Sequence, residues 1–214
     1  MVNSAIVIGT GGHSKAVISI IKTINFYNLK AILSLESASL ENPILDIPVE
    51  GSVALIEKFI DKDCTNHFFL AIGNNQKRKE IYNLIKSMGG LMPDLQSPYA
   101  FVDESVTSLG ANIICPFSFV GPQVKLGKNN LLNTGCIIEH ECTLGSHLHC
   151  APSSVLAGKV KIEDECFLGA GSTVIENITV SHNTIIGAGA TVTKDILDNG
   201  NTYIGCPARK INSQ

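Results

Sequence analysis

The sequence predicts a two-part chain, with a small parallel α/β domain over residues 1–95 and a parallel β-helix over residues 96–214. Two observations support this division. Up to about residue 95, short apolar runs alternate with segments of helical spacing, and from about residue 98 a period of six replaces them. Strand–helix alternation is typical of a parallel sheet with helices packed on it, whereas a six-residue period is typical of a β-helix with one repeat per face.

The N-terminal elements alternate in the order expected of a Rossmann-like domain. Strands are predicted at residues 4–9, 30–35 and 67–73, and helices at residues 13–25, 53–60 and 78–88. A glycine-rich turn joins the first strand to the first helix, and Gly73-Asn74-Asn75 ends the third strand. Parallel sheets place their ligands at these carboxyl ends of strands.

The C-terminal part repeats an aliphatic residue every six positions. Of the sixteen positions reached by steps of six from Val102 to Val192, fourteen are Val, Leu or Ile. The exceptions are Cys150 and Ser108, where the neighbouring Leu109-Gly110 indicates a slip in phase. Glycine follows the aliphatic residue at 121, 127, 145, 169 and 187, which we interpret as corners that need permissive backbone angles.

The cysteines fall on positions predicted to point into the β-helix. Cys136, Cys142 and Cys166 lie two residues before an aliphatic position, where mostly small residues occur, and Cys150 lies on an aliphatic position. None of the seven cysteines is 18 residues from another, the spacing that would stack two of them on adjacent coils. We expect small core residues; a nucleophilic Cys142 or Cys150 is the less favoured alternative.

Composition restricts the classes of function. A formal net charge of −3 with scattered Lys and Arg forms no basic stripe, so no nucleic-acid partner is expected. The N-terminus lacks a signal-peptide pattern, and no apolar run reaches about 18 residues, which predicts a cytoplasmic protein without membrane insertion.

The stretch IIEHECTLGSHLHC, residues 137–150, contains three of the six histidines. If the aliphatic positions point inward, His140, Glu141, His147 and His149 lie on outward or corner positions. Solvent exposure without a role is the simplest interpretation, and it suits His147 best. Zinc needs three or four convergent ligands, so His147 and His149 would require a third from a neighbouring copy. We expect no metal, but that alternative stays open.

Five stretches in the same order along the chain resemble the left-handed hexapeptide-repeat acyltransferases, and among them the PglD/NeuD-like nucleotide-sugar acetyltransferases. They are IGTGGHSKAV, FFLAIGNNQKRKEIY, LLNTGCIIEHEC, HCAPSSVLAGKVKI and YIGCPARKI. The resemblance implies a left-handed β-helix, a nucleotide-sugar-binding N-terminal domain and a homotrimer with its active sites between neighbouring helices. It also implies transfer of the acetyl group of acetyl-CoA to the 4-amino group of a UDP-linked 4-amino-4,6-dideoxy sugar in bacterial surface-glycan synthesis.

By this resemblance His140 is the general base and Glu141 is its acidic partner. A sugar ammonium becomes a nucleophile only after it loses a proton, and imidazole is suited to accept that proton near neutrality. Glu141 would fix the imidazole tautomer and raise its basicity. The amine would then attack the thioester directly without an acyl-enzyme, which agrees with buried cysteines.

The resemblance also implies the binding residues. Those for acetyl-CoA and its pantetheine arm are His149, Gly158, Ala170 and Ala188, and Asn133 lies near the acceptor sugar. Those for the nucleotide part are Gly11, Gly12 and His13. Glu36 and Asn74 are further substrate-binding candidates because of their positions after the second and third strands.

The N-terminal motif leaves two questions open. The turn beginning at Gly9 also suggests an NAD-binding fingerprint, but G-x-G-x-x-G requires glycine where Ser14 stands. Ser34-Leu35-Glu36 departs from the acidic residues that the resembled enzymes carry after the second strand, so the base stays undetermined. Asn74 suits a ligand contact and a simple polar turn equally well.

Four other functions remain as alternatives to the UDP-sugar N-acetyltransferase. They are a sialic-acid-type sugar O-acetyltransferase, a GDP-4-amino-sugar N-acetyltransferase, a catalytically silent nucleotide-sugar-binding scaffold and a metal-dependent hydratase. The acceptor and its nucleotide separate the first two from the main interpretation, the pair His140-Glu141 argues against a scaffold, and metal analysis tests the hydratase.

Overall fold

A computed structural model describes residues 3–36, 42–60 and 66–211. The chain divides into two compact units, Met1–Pro98 and Tyr99–Gln214, close to the division expected between residues 95 and 96. In the described ranges, no helix has both the length and the apolar character needed to cross a bilayer.

The N-terminal unit is built on a four-stranded parallel sheet in the order β3-β2-β1-β4. The strands are β1 (Ser4–Ile8), β2 (Asn28–Ser34), β3 (Val49–Ser52) and β4 (Asn66–Leu70), and a short strand β5 (Leu95–Gln96) follows near the end of the unit. The helices are α1 (Gly12–Ile24), α2 (Ile56–Phe59, preceded by a 3₁₀ turn at Val53–Leu55) and α3 (Asn75–Ser87). All five residues of β1 are buried, which fits its central place in the sheet. The Rossmann-like α/β prediction is therefore confirmed.

Two N-terminal elements differ from the sequence-based expectation. The edge strand β3 has the sequence VEGS, whose single aliphatic residue, Val49, gives no apolar run to recognise. The helix expected over residues 53–60 is a 3₁₀ turn followed by one α-helical turn, in which only Ile56 is buried. A segment with one anchoring side chain has little apolar burial to stabilise a longer helix.

The C-terminal unit is the predicted left-handed β-helix, with three flat faces formed by two-residue strands. Face A contains Phe101–Val102, Phe119–Val120, Ile137–Ile138, Val155–Leu156, Thr173–Val174 and Thr191–Val192. Face B contains Thr107–Ser108, Lys125–Leu126, Thr143–Leu144, Lys161–Ile162 and Thr179–Val180. Face C contains Ile113–Ile114, Leu131–Leu132, His149–Cys150, Phe167–Leu168 and Ile185–Ile186, followed by Thr202–Ile204 and the antiparallel strand Arg209–Ile211.

Adjacent coils pair in parallel register at an interval of 18 residues, as Ile137 with Val155 shows. This register extends to the first coil, where Ser108 pairs opposite Leu126 and Leu109 is exposed. The expected slip in phase at Ser108 is therefore wrong. Ser108 lies at the uncovered first coil of face B, where an inward aliphatic residue is not required to fill a closed core.

The inward positions form one continuous apolar core, and the cysteines belong to it. Cys136, Cys142, Cys150 and Cys166 are all buried among the aliphatic residues. Burial raises the pKa of Cys142 to about 11, so its thiol stays protonated near neutrality. Because the thiolate is the nucleophilic form, the prediction of structural cysteines is confirmed.

The three corners of each coil are named by the faces that they join: AB, BC and CA. A residue with left-handed backbone angles recurs every six positions from Ala111 to Gly189, and most of these residues are not glycine. The glycines that follow the aliphatic positions, such as Gly145, are not among them. Our interpretation of those glycines as flexible corner residues is therefore wrong, and their role is one of packing.

Candidate active site

His140 and Glu141 lie next to each other on corner AB. Glu141 adopts φ +60°, and its backbone N–H donates to the carbonyl of Pro122 on the preceding coil at 2.8 Å. Its carboxylate Oε2 lies 3.0 Å from Nδ1 of His140. A carboxylate accepts only, so Nδ1 carries the proton and Nε2 presents the lone pair of the neutral imidazole. Within the described part of the chain, Nε2 of His140 has no hydrogen-bond partner.

Gly158 lies beneath the His140 ring on the following coil. A Cβ placed on Gly158 would come within 2.6 Å of both Cε1 and Nε2 of His140. The residue is not among the glycines with positive φ, so the glycine is required for space rather than for backbone angle. The structure therefore groups Gly158 with the predicted base, whereas its place along a pantetheine path stays a prediction.

A second polar group lies where face C meets corner CA. Asn133 Nδ2 is 3.3 Å from Nε2 of His149, while Asn133 Oδ1 accepts the backbone N–H of Thr134 at 2.8 Å. The Thr134 contact orients the amide so that its NH2 donates to His149, which leaves the imidazole proton on Nδ1. The edge of the His149 ring also packs against Phe167 with ring centroids 5.0 Å apart. His149 is thus held in one orientation by contacts on both sides.

Small residues continue along the same corner from Asn133. Ala170 and Ala188 are exposed there on adjacent coils. A Cβ on the neighbouring Gly171 or Gly189 would meet nothing within 4 Å. We call Asn133, His149, Ala170 and Ala188 the CA track. Around Ala170 and Ala188, the CA track is an exposed surface of small residues.

His147 is buried, which contradicts the expectation that it meets solvent. Its ring nitrogen Nδ1 forms a hydrogen bond of 2.7 Å with Nδ2 of the buried Asn129 on the preceding coil. Both residues adopt left-handed angles on corner BC. The six-residue period places His147 at an outward corner, but the neighbouring coil covers it there. Among the described residues, no group of three or more His, Cys, Asp or Glu side chains is arranged to hold a metal ion.

The N-terminal unit holds a cavity of about 370 Å³ at the carboxyl ends of β1, β2 and β4. Its lining includes the predicted residues Gly11, Glu36 and Asn74, and it also includes Lys77, which sequence reasoning missed. Asn74 Oδ1 accepts the backbone N–H of Lys77 at 2.9 Å and so caps α3. Asn74 therefore serves the turn and faces the cavity at once. The predicted residues Gly12 and His13 are not part of the lining and form the start of α1.

The cavity wall depends on close backbone packing and on a buried arginine. Gly9 has φ +116°, and a Cβ there would lie 2.7 Å from the carbonyl oxygen of Ala71 at the end of β4. Arg78, which is 1% exposed, donates to the carbonyl of Ile72 at 2.9 Å and to Oδ1 of Asn75 at 2.9 Å. Burial, with a contribution from the Arg78 charge, lowers the pKa of His13 to about 4. His13 is therefore neutral at physiological pH.

A further hollow of about 400 Å³ lies along face B. Its lining includes Lys161, Glu163, Asp164 and His182. No residue predicted to act in the site lines it, so it is not part of the site described above.

Comparisons with known proteins agree with this architecture. Residues 4–85 match the family described as the PglD N-terminal domain, and residues 159–194 match the hexapeptide repeat of succinyl-transferase. A curated relative, GDP-perosamine N-acetyltransferase of Escherichia coli O157:H7, is 29% identical over 113 residues. That alignment covers 52% of this chain and 51% of the relative, so the match spans about half of each.

Solved structures match over nearly the whole chain. The acetyltransferase domain of PglB from Neisseria gonorrhoeae has a TM-score of 0.91 and 28% identity, covering 98% of this chain and 100% of that domain. GDP-perosamine N-acetyltransferase from Caulobacter crescentus, solved as a histidine-to-alanine variant with CoA and GDP-perosamine, also has a TM-score of 0.91 and 28% identity. That match covers 100% of this chain and 99% of the other.

Proposed function

We propose that this chain, whose two parts match the PglD N-terminal domain and the hexapeptide repeat, is an acyltransferase of the PglD/NeuD-like family that transfers an acetyl group from acetyl-CoA to the amino group of a nucleotide-linked 4-amino sugar. The observation that carries the proposal is the hydrogen bond of 3.0 Å between Glu141 and Nδ1 of His140, which leaves Nε2 free to accept a proton. The acceptor reacts as its neutral amine, and the reaction needs such a base because the attacking nitrogen must give up a proton as the C–N bond forms.

In the proposed reaction the acetyl group passes directly from CoA to the sugar amine, without an acyl-enzyme. Nε2 of His140 takes a proton from the sugar amine as the amine nitrogen attacks the thioester carbon and a C–N bond forms. The C–S bond then breaks, and the CoA sulfur leaves and takes up the proton from His140. The products are the N-acetylated sugar and free CoA, and His140 returns to its neutral form. Glu141 stabilises the imidazolium that exists between these two proton transfers.

Acetyl-CoA is assigned to the CA track. CoA and acetyl-CoA are bound in structures of relatives, and the exposed Ala170 and Ala188 leave room for a narrow pantetheine arm. His149, fixed by Asn133 and Phe167, would contact the thioester end. Asn133 would lie near the acceptor sugar, as the family resemblance implies.

The nucleotide part is assigned to the cavity at the ends of β1, β2 and β4. Backbone N–H groups at the start of α1, at Gly12 and His13, are suited to a diphosphate, and Lys77 adds a positive charge to the lining. We favour a GDP-linked sugar over a UDP-linked one, because two relatives of 28–29% identity are GDP-perosamine N-acetyltransferases. The carboxylate of Glu36 also suits guanine, because its two oxygens can accept hydrogen bonds from N1–H and N2–H of that base.

The catalytic pair and the CA track lie on different corners of the coil, separated by face A. Acetyl-CoA and the amino sugar must meet at one place between these two corners. We therefore propose a homotrimer in which corner AB of one copy faces the CA track of its neighbour. Closed cyclic symmetry gives every copy the same two half-sites. Since acetyl-CoA and nucleotide sugars are cytoplasmic metabolites, we assign the reaction to the cytoplasm.

The test is release of the CoA thiol from acetyl-CoA with three acceptors, a GDP-linked and a UDP-linked 4-amino-4,6-dideoxy sugar and a sialic acid, with buffer alone as the blank. We expect turnover with the amino sugars and the highest kcat/KM with the GDP-linked one. His140→Ala should lower kcat by roughly 100- to 10,000-fold and still bind acetyl-CoA. Turnover with the sialic acid alone would reassign the chain to O-acetylation, and an active His140→Ala variant would exclude this base.

A further inference from the structure

Lys159 occupies the corner position directly after Glu141 in the coil stack. The two residues are 18 apart, and both adopt left-handed angles, with φ +60° for Glu141 and +62° for Lys159. The backbone N–H of Lys159 donates to the carbonyl of His140 at 2.9 Å. The Lys159 side chain therefore starts from a backbone that is itself fixed to the catalytic pair.

The Lys159 ammonium approaches the oxygen that holds the base. Nζ lies 3.7 Å from Oε2 of Glu141, and the same Oε2 lies 3.0 Å from Nδ1 of His140. Alternation of a cation, a carboxylate and an imidazole N–H gives a chain of favourable contacts through one shared oxygen. Left without Lys159, the carboxylate of Glu141 could rotate toward solvent, because both partners of this ion pair are about half exposed.

We propose that Lys159 is a positioning residue for the reaction: it holds the Glu141 carboxylate against Nδ1 of His140 and offsets part of its negative charge. This inference rests on the proposed function. The two effects act in opposite directions on the base. Orientation keeps Nε2 presented to the acceptor amine, whereas the positive charge makes the imidazolium less stable and eases return of the proton to the leaving thiolate.

These two effects give Lys159 a signature that a purely structural residue lacks. In Lys159→Met the maximal rate should fall about 3- to 10-fold because His140 is less well oriented, with KM for acetyl-CoA unchanged. The pH of half-maximal kcat/KM on the acid side should rise by a few tenths of a unit, because the carboxylate is no longer offset by a cation. Lys159→Arg should restore most of the rate and the original profile.

Lys161→Met is the matched control. Lys161 is as exposed as Lys159, 55% against 54%, and it pairs with Glu163 at 3.2 Å on the adjoining face. The pair between Lys161 and Glu163 has no link to His140. We expect Lys161→Met to have the wild-type rate and pH profile. A raised KM for acetyl-CoA in Lys159→Met, or an unchanged profile, would overturn the positioning role.

A second measurement separates this inference from the proposed function. Nitrogen-15 NMR of imidazole-labelled protein reports the tautomer of His140 without any substrate. We expect the Nδ1–H tautomer to dominate in the wild type and in Lys161→Met, and to lose population in Lys159→Met. If the wild type acetylates none of the acceptors, the proposed function fails, while this spectrum still decides the role of Lys159. An identical tautomer population in all three proteins would overturn it.

Discussion

At the residue scale, Gly158 shows how a missing side chain can determine where the proposed base, His140, lies. The His140 ring occupies the space that a Cβ on Gly158 would fill, at 2.6 Å from Cε1 and Nε2. Glu141 fixes one edge of the same ring at Nδ1. The imidazole is therefore bounded by a carboxylate on one side and by bare backbone on the other, and this arrangement limits the directions in which Nε2 can point.

Gly158→Ala is expected to displace the His140 ring and to lower kcat by about 10- to 100-fold, because small misplacements of a catalytic group are costly. KM for acetyl-CoA should stay near the wild-type value if Gly158 acts through His140. Steady-state kinetics with varied acetyl-CoA measures both quantities. If KM rises instead and kcat is preserved, Gly158 lines the pantetheine path as the family resemblance implies.

The pair of His140 and Glu141 was predicted from the family resemblance, and its contact needs no knowledge of the coil because the two residues are adjacent. Lys159 was missed because it lies one coil, or 18 residues, after Glu141. The 18-residue spacing had been considered only for residues of the core and not for charged residues at the corners. The error at His147 has the same origin, since Asn129, which covers it, lies one coil earlier. Arg78 and Lys77 were missed because a helix rich in polar residues gives no signal for which of them turn toward a cavity.

At the scale of the element, the corners separate two uses of glycine that one sequence pattern does not distinguish. A Cβ on Gly145 would lie 2.3 Å from Oδ1 of Asp164 on the next coil. Gly171, at φ +65°, has open space around it and is favoured by its backbone angle instead. The six-residue period predicted the faces and the core, but it carried no information on which glycine served packing and which served conformation.

The first turn of α1 gives a prediction for stability. The pKa of His13 is lowered from 6.5 to about 4, chiefly by burial. Between these two values the unfolded chain binds a proton at this residue and the folded chain does not. The free energy of unfolding should therefore fall as pH decreases from 6.5 to 4, by on the order of 2–3 kcal/mol from this residue.

His13→Gln removes this titration, so its free energy of unfolding should depend less on pH over the same interval. Denaturant titrations followed at 222 nm measure it, because the described helices all lie in the N-terminal unit. His182→Gln, at an exposed histidine of the β-helix, is the control and should behave as the wild type does. Equal slopes in wild type and His13→Gln would show that His13 is not buried in its neutral form.

At the scale of the whole molecule, the proposed site is divided between two corners of one coil. Corner AB carries the proposed base and its partners, and the CA track carries the surface proposed for acetyl-CoA. Face A, with strand Ile137–Ile138, separates Asn133 from His140 within the coil. Backbone hydrogen bonds join both corners to the preceding coil, as from Glu141 to Pro122 and from Gly135 to Pro116, so the fold keeps these groups apart within one copy. The proposed homotrimer solves this problem by pairing corners from different copies.

Complementation between inactive variants tests that division. His140→Ala disables corner AB, and Ala170→Trp is expected to block the CA track with a bulky group at an exposed position while leaving the core intact. Each variant alone should show little turnover. Co-expressed in equal amounts, they form mixed trimers in which a site works only where an intact corner AB meets an intact CA track. Random mixing then restores about a quarter of the wild-type activity per site.

The mixed protein should have a mass near three times 22.8 kDa in solution. Trimers of that mass without any recovered activity would mean that each copy completes its own site.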